Sequence, residues 1–312
     1  MAITSHGVLG LIGAALNSST PMSNRLASLA FMGESSLSQG QSEKLDFLGA
    51  IPAMREWLGS RQDAQPIEHN YQVLMTLFET SLQMPLAWIE DDKTGLVQQR
   101  IGQIVLRRES LYGALIASLI NTNGTCFDGQ NFFSDTHSWG SSGTLDNNVT
   151  SAATTATAPT ASEAATGIMA GWQTLLGMLD DRGQPVNENI SKIAVCCGVS
   201  LAASHQIAIT ANNLDTGTGV RDNPVQGLRA AGVEVELIAS PRLTDTDGIA
   251  VINRSPGAAP FAILRNPKSL KTTAKAEGSD FEHDQNAWAF GVKETVASGY
   301  GLFTDACLVT YV

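Results

Sequence analysis

The chain has 312 residues and a mass of 33.0 kDa, enough for one large domain or two modest ones with a real hydrophobic core. It carries 19 Lys plus Arg against 30 Asp plus Glu, for a net charge of −11 and a pI near 4.8, with 8 basic and 14 acidic side chains over residues 1–150 and 11 and 16 after them. Such evenly spread acid excludes a basic nucleic-acid binder, the stretch before Arg25 lacks the basic flank of a signal peptide, and no run of about 18 apolar residues predicts a membrane span.

Residues 1–40 are rich in Ser, Gly, Ala and Asn and predict an extended arm with one or two short helical turns. An arm this poor in apolar residues needs a support, either the subunit's own body or a neighbour. Two extended runs, Leu45–Leu58 and Ile67–Ile89, flank the polar piece Gly59–Pro66, whose Gly and Pro mark a loop tip. Residues 71–78 suit a strand, and so do 79–89, although Pro85 argues against a regular central strand there. Lys93–Asn121 is the strongest helical pattern: Val97, Ile101, Ile104, Val105, Tyr112, Leu115, Ile116 and Leu119 fall mostly at helical spacing. Asp91 and Asp92 suit the start of its dipole, and Gly124 closes it. At 1.5 Å per residue this is a rod of roughly 40 Å.

Residues 138–161, dominated by Ser, Thr, Ala, Asn and Gly, read as a long surface loop. Thr160-x-x-Glu163 has the spacing of a capping box and opens a second helix. Its face is Ile168, Trp172, Leu175 and Leu179, and Gly183 with Pro185 end it. A strand over Lys192–Cys197, a short helix over Val199–Thr210 and a loop over Asn212–Asn223 follow. Strands are expected over Val233–Ala239, Ala250–Asn253 and Phe261–Arg265, then more extended structure to Val312. The class is α+β, with no βαβ repeat.

The four cysteines, Cys126, Cys196, Cys197 and Cys307, form no ligand-spaced set. Cys196-Cys197 within the apolar run Ile193–Cys197 reads as a buried strand with reduced thiols, the pattern of a cytosolic protein. The densest polar stretch, Cys126 to His137, offers Asp128, Asp135 and His137 as oxygen and imidazole ligands. A metal-dependent hydrolase built on them needs a further ligand and an open coordination position. The competing structural reading is a tight turn at Asp128-Gly129 with Phe127, Phe132 and Phe133 packed down. Trp139-Gly-Ser-Ser-Gly143 is not a nucleophile elbow, and Gly217-x-Gly219 is not a phosphate loop. No cofactor and no catalytic residue follow from these patterns.

Two charged stretches remain. Arg55-Glu56-Trp57-Leu-Gly-Ser-Arg61 sets an aromatic among arginines and an acid, the composition of an interface anchor or of a solvated hairpin tip. Glu90-Asp91-Asp92 places three acids before the long helix, where they suit either its dipole or a neighbour's arginine. Charged residues are only 16% of the chain, against about 25% on average. That fits a protein that covers much of its surface with copies of itself.

Four stretches occur in order: Pro52-Ala-Met-Arg55-Glu56-Trp57-Leu-Gly59-Ser-Arg61, Phe78-Glu79-Thr80, Trp88-Ile89-Glu90-Asp91-Asp92-x-x-Gly95, and Phe127-Asp128-Gly129-Gln130-Asn-Phe132-Phe133-Ser134-x-x-His137. With these spacings, residues 45 to 140 resemble the major capsid (major head subunit) family of Mu-like tailed phages and prophages. The resemblance implies the Hong Kong 97-type capsid fold: an arm over 1–43, an extended hairpin loop over 44–75, a peripheral domain over 76–161 with a spine helix at 93–121, an axial domain over 162–255, and a return to the peripheral domain over 256–312. It implies a structural protein, not an enzyme. Hexamers and pentamers would tile an icosahedral head around packaged double-stranded DNA, without sequence-specific DNA binding or membrane contact. The implied partners are further copies of the chain, a separate scaffold protein, the portal and, as a further candidate, a decoration protein. Assembly is expected in the host bacterial cytoplasm, and the product is the virion. On this reading Arg55, Glu56, Trp57 and Arg61 contact the next subunit, with Glu90, Asp91 and Asp92 as acidic partners. The alternatives are an encapsulin-like nanocompartment shell and a metal-dependent enzyme using Asp128, Asp135 and His137.

Overall fold

A computed structural model describes residues 5–18, 24–48, 68–91 and 94–312. Helix α1 (Ser5–Ser18) leads into strands β1 (Ala30–Glu34) and β2 (Ser42–Leu48). Strand β3 (Glu68–Leu74) pairs with β2, and β4 (Thr76–Pro85) runs into the short helix α2 (Leu86–Glu90). The long helix α3 (Thr94–Thr122) follows, then the short pair β5 (His137–Ser138) and β6 (Thr144–Leu145), and β7 (Asn148–Ser151). Next come α4 (Ala161–Leu176), β8 (Lys192–Cys197), α5 (Ala202–Thr210), the hairpin β9 (Asn213–Asp215) and β10 (Val220–Asp222), and α6 (Pro224–Ala230). The chain ends with β11 (Glu234–Ala239), β12 (Gly248–Asn253), β13 (Phe261–Lys275), α7 (Asp280–Gln285), β14 (Ala287–Tyr300) and β15 (Ala306–Tyr311).

Two compact units divide the chain. The first gathers Met1–Glu43, Gln72–Ile116 and Ile263–Ser298; the second gathers Lys44–Tyr71, Ala117–Ala262 and Gly299–Val312.

In the first unit a four-stranded sheet has the order β1-β13-β14-β4. β4 lies antiparallel on β14, with Met84 opposite Trp288, Leu82 opposite Phe290 and Thr80 opposite Val292. One face of this sheet packs Met84, Trp288, Phe290 and Val292 against Ile101, Ile104 and Val105 of α3. Pro85 ends β4, which is an edge strand, so the proline interrupts no central ladder. The expected extended arm is instead a 14-residue helix over its first part. Val8, Ile12 and Leu16 recur at i, i+4 and i+8, and all three are buried in this core. Each contributes about 1.5–3 kcal/mol by leaving water, which overrides the poor helix propensity of the intervening glycines. The subunit's own body is therefore the support the arm needed.

In the second unit a five-stranded sheet has the order β11-β8-β12-β15-β7. β8 is parallel to β11 and antiparallel to β12; β15 is antiparallel to β12 and parallel to β7. β8 is an interior strand between β11 and β12, and Ile193 to Cys197 are all buried, which explains its unbroken apolar run. One face of the sheet, with Ile193, Val195, Ile249, Val251, Cys307 and Val309, packs against α4, α5 and α6. Helix α4 starts as its sequence predicts: Thr160 Oγ1 accepts from the Glu163 N–H, and the Glu163 carboxylate accepts from the Thr160 N–H. Glycine lets it approach the sheet, since a Cβ on Gly171 would meet Val251 Cγ2 at 2.5 Å.

Several boundaries differ from expectation. The long helix, expected over 93–121, runs Thr94–Thr122, and Asn123 rather than Gly124 takes the left-handed turn that ends it, at φ 46°. The Tyr300 hydroxyl secures this end, donating to Leu119 O and accepting from the Gly124 N–H. Helix α4 stops at Leu176 with Gly177 as its cap, so Leu179 is not on its face and Gly183 lies well past its end. The supposed surface loop 138–161 contributes β7 to the edge of the central sheet and buries Leu145, Asn147 and Ser151. The loop 212–223 is the hairpin β9–β10, and β13 continues ten residues past Arg265.

Candidate functional site

The charged anchor singled out from sequence cannot be placed: Arg55, Glu56, Trp57, Arg61 and Asp92 lie outside the described residues. Glu90 ends α2, and nothing of its side chain is described. Asp91 is exposed and caps the C-terminal end of that short helix, its N–H donating to Ala87 O. The helix-dipole reading of Glu90-Asp91-Asp92 therefore changes for its first two members. They sit at the end of α2, and α3 begins at Thr94.

The Cys126–His137 stretch, in contrast, forms a closed buried network in the second unit. The Asp128-Gly129 turn is real, with Gly129 at φ 84°. Asp128 Oδ2 lies 2.7 Å from His137 Nδ1, and both side chains are almost fully buried. Asp128 Oδ1 accepts from Cys126 Sγ at 2.9 Å and from the Gln130 N–H at 3.1 Å. His137 Nε2 lies 3.2 Å from Phe132 O, and the imidazole stacks on Phe303 with centroids 3.9 Å apart. Asn147 holds the other side of the loop, accepting from the Ser134 N–H and donating towards Phe132 O, Phe303 O and Ala306 O. Burial alone would raise the Asp128 pKa, but the hydrogen bonds from His137, Cys126 and Gln130 outweigh it and hold the carboxyl at about 2. Burial pushes the Cys126 thiol up to about 12, so it remains a thiol.

This geometry corrects the metal-centred alternative. Asp135 is exposed and outside the network; Cys126 takes its place beside Asp128 and His137, with the three ligand-type atoms within 4.8 Å of one another. Yet the thiol is protonated, both carboxylate oxygens already accept hydrogen bonds, and each imidazole nitrogen faces an acceptor. The polar atoms of Cys126, Asp128 and His137 are thus engaged with one another and with the loop backbone. The group is a loop staple, in which a buried polar cluster is fully satisfied. All four cysteines are free and buried, and burial likewise raises Cys197 to about 11 and Cys307 to about 12.

Two other buried networks have no counterpart in the sequence reading. In the first unit Arg108 grips Glu294 with both arms of its guanidinium, Nε to Oε2 at 2.7 Å and Nη2 to Oε1 at 3.0 Å. The Tyr112 hydroxyl donates to the same Oε2 at 2.9 Å, and the ionic side chains are only 5% and 4% exposed. The clue was available: Arg108 continues the apolar stripe of Ile101, Ile104 and Tyr112 on α3, where an unpaired charge is untenable. In the second unit His205 Nε2 lies 2.8 Å from the Tyr311 hydroxyl and Nδ1 lies 2.7 Å from Leu201 O. Burial lowers the His205 pKa.

Some apolar surface is left open. Val199 and Ile207, 63% and 51% exposed, flank exposed Ala203 at i, i+4 and i+8 around α5. Leu106 on α3 is 63% exposed. No described helix is long and apolar enough to cross a membrane.

The architecture has close counterparts among solved structures. The capsid of cyanophage P-SCSP1u superposes with a TM-score of 0.56, covering 95% of this chain and 90% of that one at 11% identity. A virus-like particle from Pyrococcus furiosus superposes at 0.51, covering 98% of each chain at 11% identity. This is the Hong Kong 97-type capsid fold. Sequence comparison bears out the Mu-like resemblance: the family model described as the Mu-like prophage major head subunit gpT matches residues 14–165. The major capsid protein of Escherichia phage Mu is 30% identical over 105 residues, which are 32% of this chain and 33% of that protein. The match thus spans about a third of the Mu protein, while the family model covers the part of this chain that carries the quoted motifs.

Proposed function

We propose that this chain is the major capsid protein of a tailed phage or prophage, assembling as hexamers and pentamers into an icosahedral head around double-stranded DNA. The observation that carries this is the coincidence of a capsid fold over 95% of the chain with a head-subunit sequence over residues 14–165. The exposed, uncharged face of Val199, Ala203 and Ile207 suits a subunit whose surface is covered by copies of itself. A separate scaffold protein and the portal are its proposed partners, with a decoration protein as a further candidate; the virion is its destination, and the host cytoplasm its place of assembly.

In this layout the first unit, with α3 as spine, is the peripheral domain, and the second is the axial domain. Gly299–Val312 groups with the second unit, which supports counting the last strand with the axial part rather than with the return to the peripheral domain. Counted on sequence, the first unit has 10 basic and 12 acidic side chains, and the second has 9 and 18. An axial domain that acidic repels DNA, which suits a container filled by a separate motor. Arg55, Glu56, Trp57 and Arg61 belong to the extended loop that reaches the next subunit, with Glu90, Asp91 and Asp92 as acidic partners. A nanocompartment shell has the same fold, and the Mu-like stretch is what favours a phage head over it.

Electron microscopy of the protein expressed alone and with its scaffold tests the proposal. Closed shells, tubes or rings of five and six are expected; a monomer or dimer under both conditions refutes it. Trp57→Ala should lower shell yield while the subunit's circular dichroism stays unchanged, and normal shells from that variant would remove Trp57 from the interface.

A further inference from the structure

Four of the chain's seven lysines fall on two strands of the first unit, Lys268, Lys271 and Lys275 on β13 and Lys293 on β14. Trp288, Phe290 and Val292 point into the core beneath α3, so Ala289, Gly291 and Lys293 face the other way. Leu270 packs on the same core, so Lys271, Thr273 and Lys275 also face away from it. The nearness of Thr273 to Gly291 agrees, since a Cβ on Gly291 would meet Thr273 Oγ1 at 2.9 Å. On β4 the same alternation turns Glu79, Ser81 and Gln83 to this open face. Glu79, Gln83, Lys275 and Phe281 border a groove of about 520 Å³ on it, which Ala289 and Gly291 also line. Lys275 Nζ lies over the Phe281 ring, 5.6 Å from its centroid. Glu79 stands opposite Lys293 in the register, yet among the described residues none of Lys271, Lys275, Lys293 and Glu79 is ion-paired. The second unit has the opposite imbalance, 9 basic against 18 acidic side chains. Its Asp135, Asp146, Glu188, Asp215, Asp222 and Asp245 are exposed, and none of them is ion-paired among the described residues.

We infer that the lysine-bearing open face of the first unit's sheet is a docking surface for the acidic second unit of another copy of this chain. This inference rests on the proposed self-assembly. Unpaired charges of opposite sign on two parts of one chain attract between copies and steer their encounter. The two surfaces differ, so the contact is head-to-tail, and a head-to-tail contact repeats into a ring where its rotation closes. Rings of five and six are what the proposed function needs. Three lysines beside a glutamate, in a chain of net charge −11, make a poor track for DNA, whose binding is driven by many phosphate contacts. They suit a small set of protein carboxylates.

Shells assembled from equal parts of unlabelled and isotope-labelled full-length chain test this by carbodiimide cross-linking, which joins an amine to a carboxylate in contact with it, with loss of water and no spacer. Peptides joining Lys271, Lys275 or Lys293 to a carboxylate within residues 117–262 of a differently labelled copy are expected. Lysines joined only to first-unit carboxylates, only within one copy, or to none overturn the inference. Lys271→Glu/Lys275→Glu, at exposed positions, should slow assembly by about tenfold or more, followed by light scattering. Urea unfolding of the unassembled variant should match the parent, and the parent's own assembly should slow by about tenfold from low to high salt. Assembly of the double variant at the parent rate overturns the inference, and if those shells also hold less DNA the face belongs to DNA instead. If the unaltered chain forms no shells, the proposed function fails and the inference falls with it. Shells that lack the expected links leave that function standing and remove this contact alone.

Discussion

Breaking the Arg108–Glu294 pair should cost far more than a surface ion pair, and removing it whole should cost little. Glu294→Ala deletes the acceptor of two guanidinium bonds and of the Tyr112 hydroxyl. It takes the Glu294 carboxylate away from a guanidinium whose side chain is only 5% exposed. The expected loss is about 3–5 kcal/mol, the usual penalty for breaking a buried ion pair by removing one partner. Arg108→Met with Glu294→Leu removes both charges and takes the acceptor away from the Tyr112 hydroxyl, for a loss of about 1–3 kcal/mol. Adding Tyr112→Phe removes that hydroxyl too and should return stability to within about 1 kcal/mol of the parent. Urea unfolding of the unassembled subunit measures all three, with amide exchange across α3 and β14 locating the change. A Glu294→Ala loss below about 1 kcal/mol would place the pair with exposed ion pairs and refute the reasoning. So would a triple variant as unstable as the single one.

Other expectations follow from the remaining networks. The Asp128 carboxyl is held at about 2, below its unfolded value near 3.8, so its contribution of about 2 kcal/mol is complete above pH 4 and is lost as pH falls towards 2. Asp128→Asn should remove that contribution at neutral pH and flatten the acid-unfolding curve in that window. Burial lowers His205 below its unfolded value near 6.5, so the unfolded chain takes up the proton first and stability declines as pH falls below 6.5. His205→Gln should abolish that slope between pH 6.5 and 5 in thermal unfolding, and Tyr311→Phe should leave it in place. Thr160→Ala should cost about 1 kcal/mol by removing one half of the capping box, measured by urea unfolding.

What could be read from the sequence was whatever depends on near neighbours. Thr160 and Glu163 cap α4 because the interaction spans three residues, and β8 is a continuous apolar run because both of its faces are buried. Helix α1 was obscured by its own composition. Glycine and serine argue against a helix, and only the distant seat formed by Ile101, Ile104 and Trp288 shows why Val8, Ile12 and Leu16 align. Strand β7 is four residues long with a single large apolar side chain, Val149, so no period can be read from it; its pairing with β15 comes from the end of the chain. Arg108 meets a carboxylate 186 residues away, and nothing local names that partner. The Cys126–His137 stretch was read as either ligand set or packed turn. Its geometry decides for the turn because each polar atom finds its partner within the loop or on Phe132.

The same distinction explains why the sequence match stops near residue 165 while the fold match covers nearly the whole chain. In the first half, geometry demands particular residues. Gly129 must take positive φ, Asp128 must accept from three donors, and His137 must bridge a carboxylate and a carbonyl while stacking on Phe303. Replacing Asp128 or His137 would leave a buried polar atom unsatisfied, and a side chain at Gly129 would strain its backbone, so the geometry admits few residue types there. The core of the second unit sets a looser condition. Ile193, Val195, Ile249, Val251 and Val309 need to be apolar, of suitable volume, and alternating on one face of the sheet. Aliphatic residues exchange at such positions at a cost usually below about 1.5 kcal/mol when volume is conserved. Such a core constrains pattern more than identity, which accounts for a fold comparison that reaches further than a residue-by-residue one.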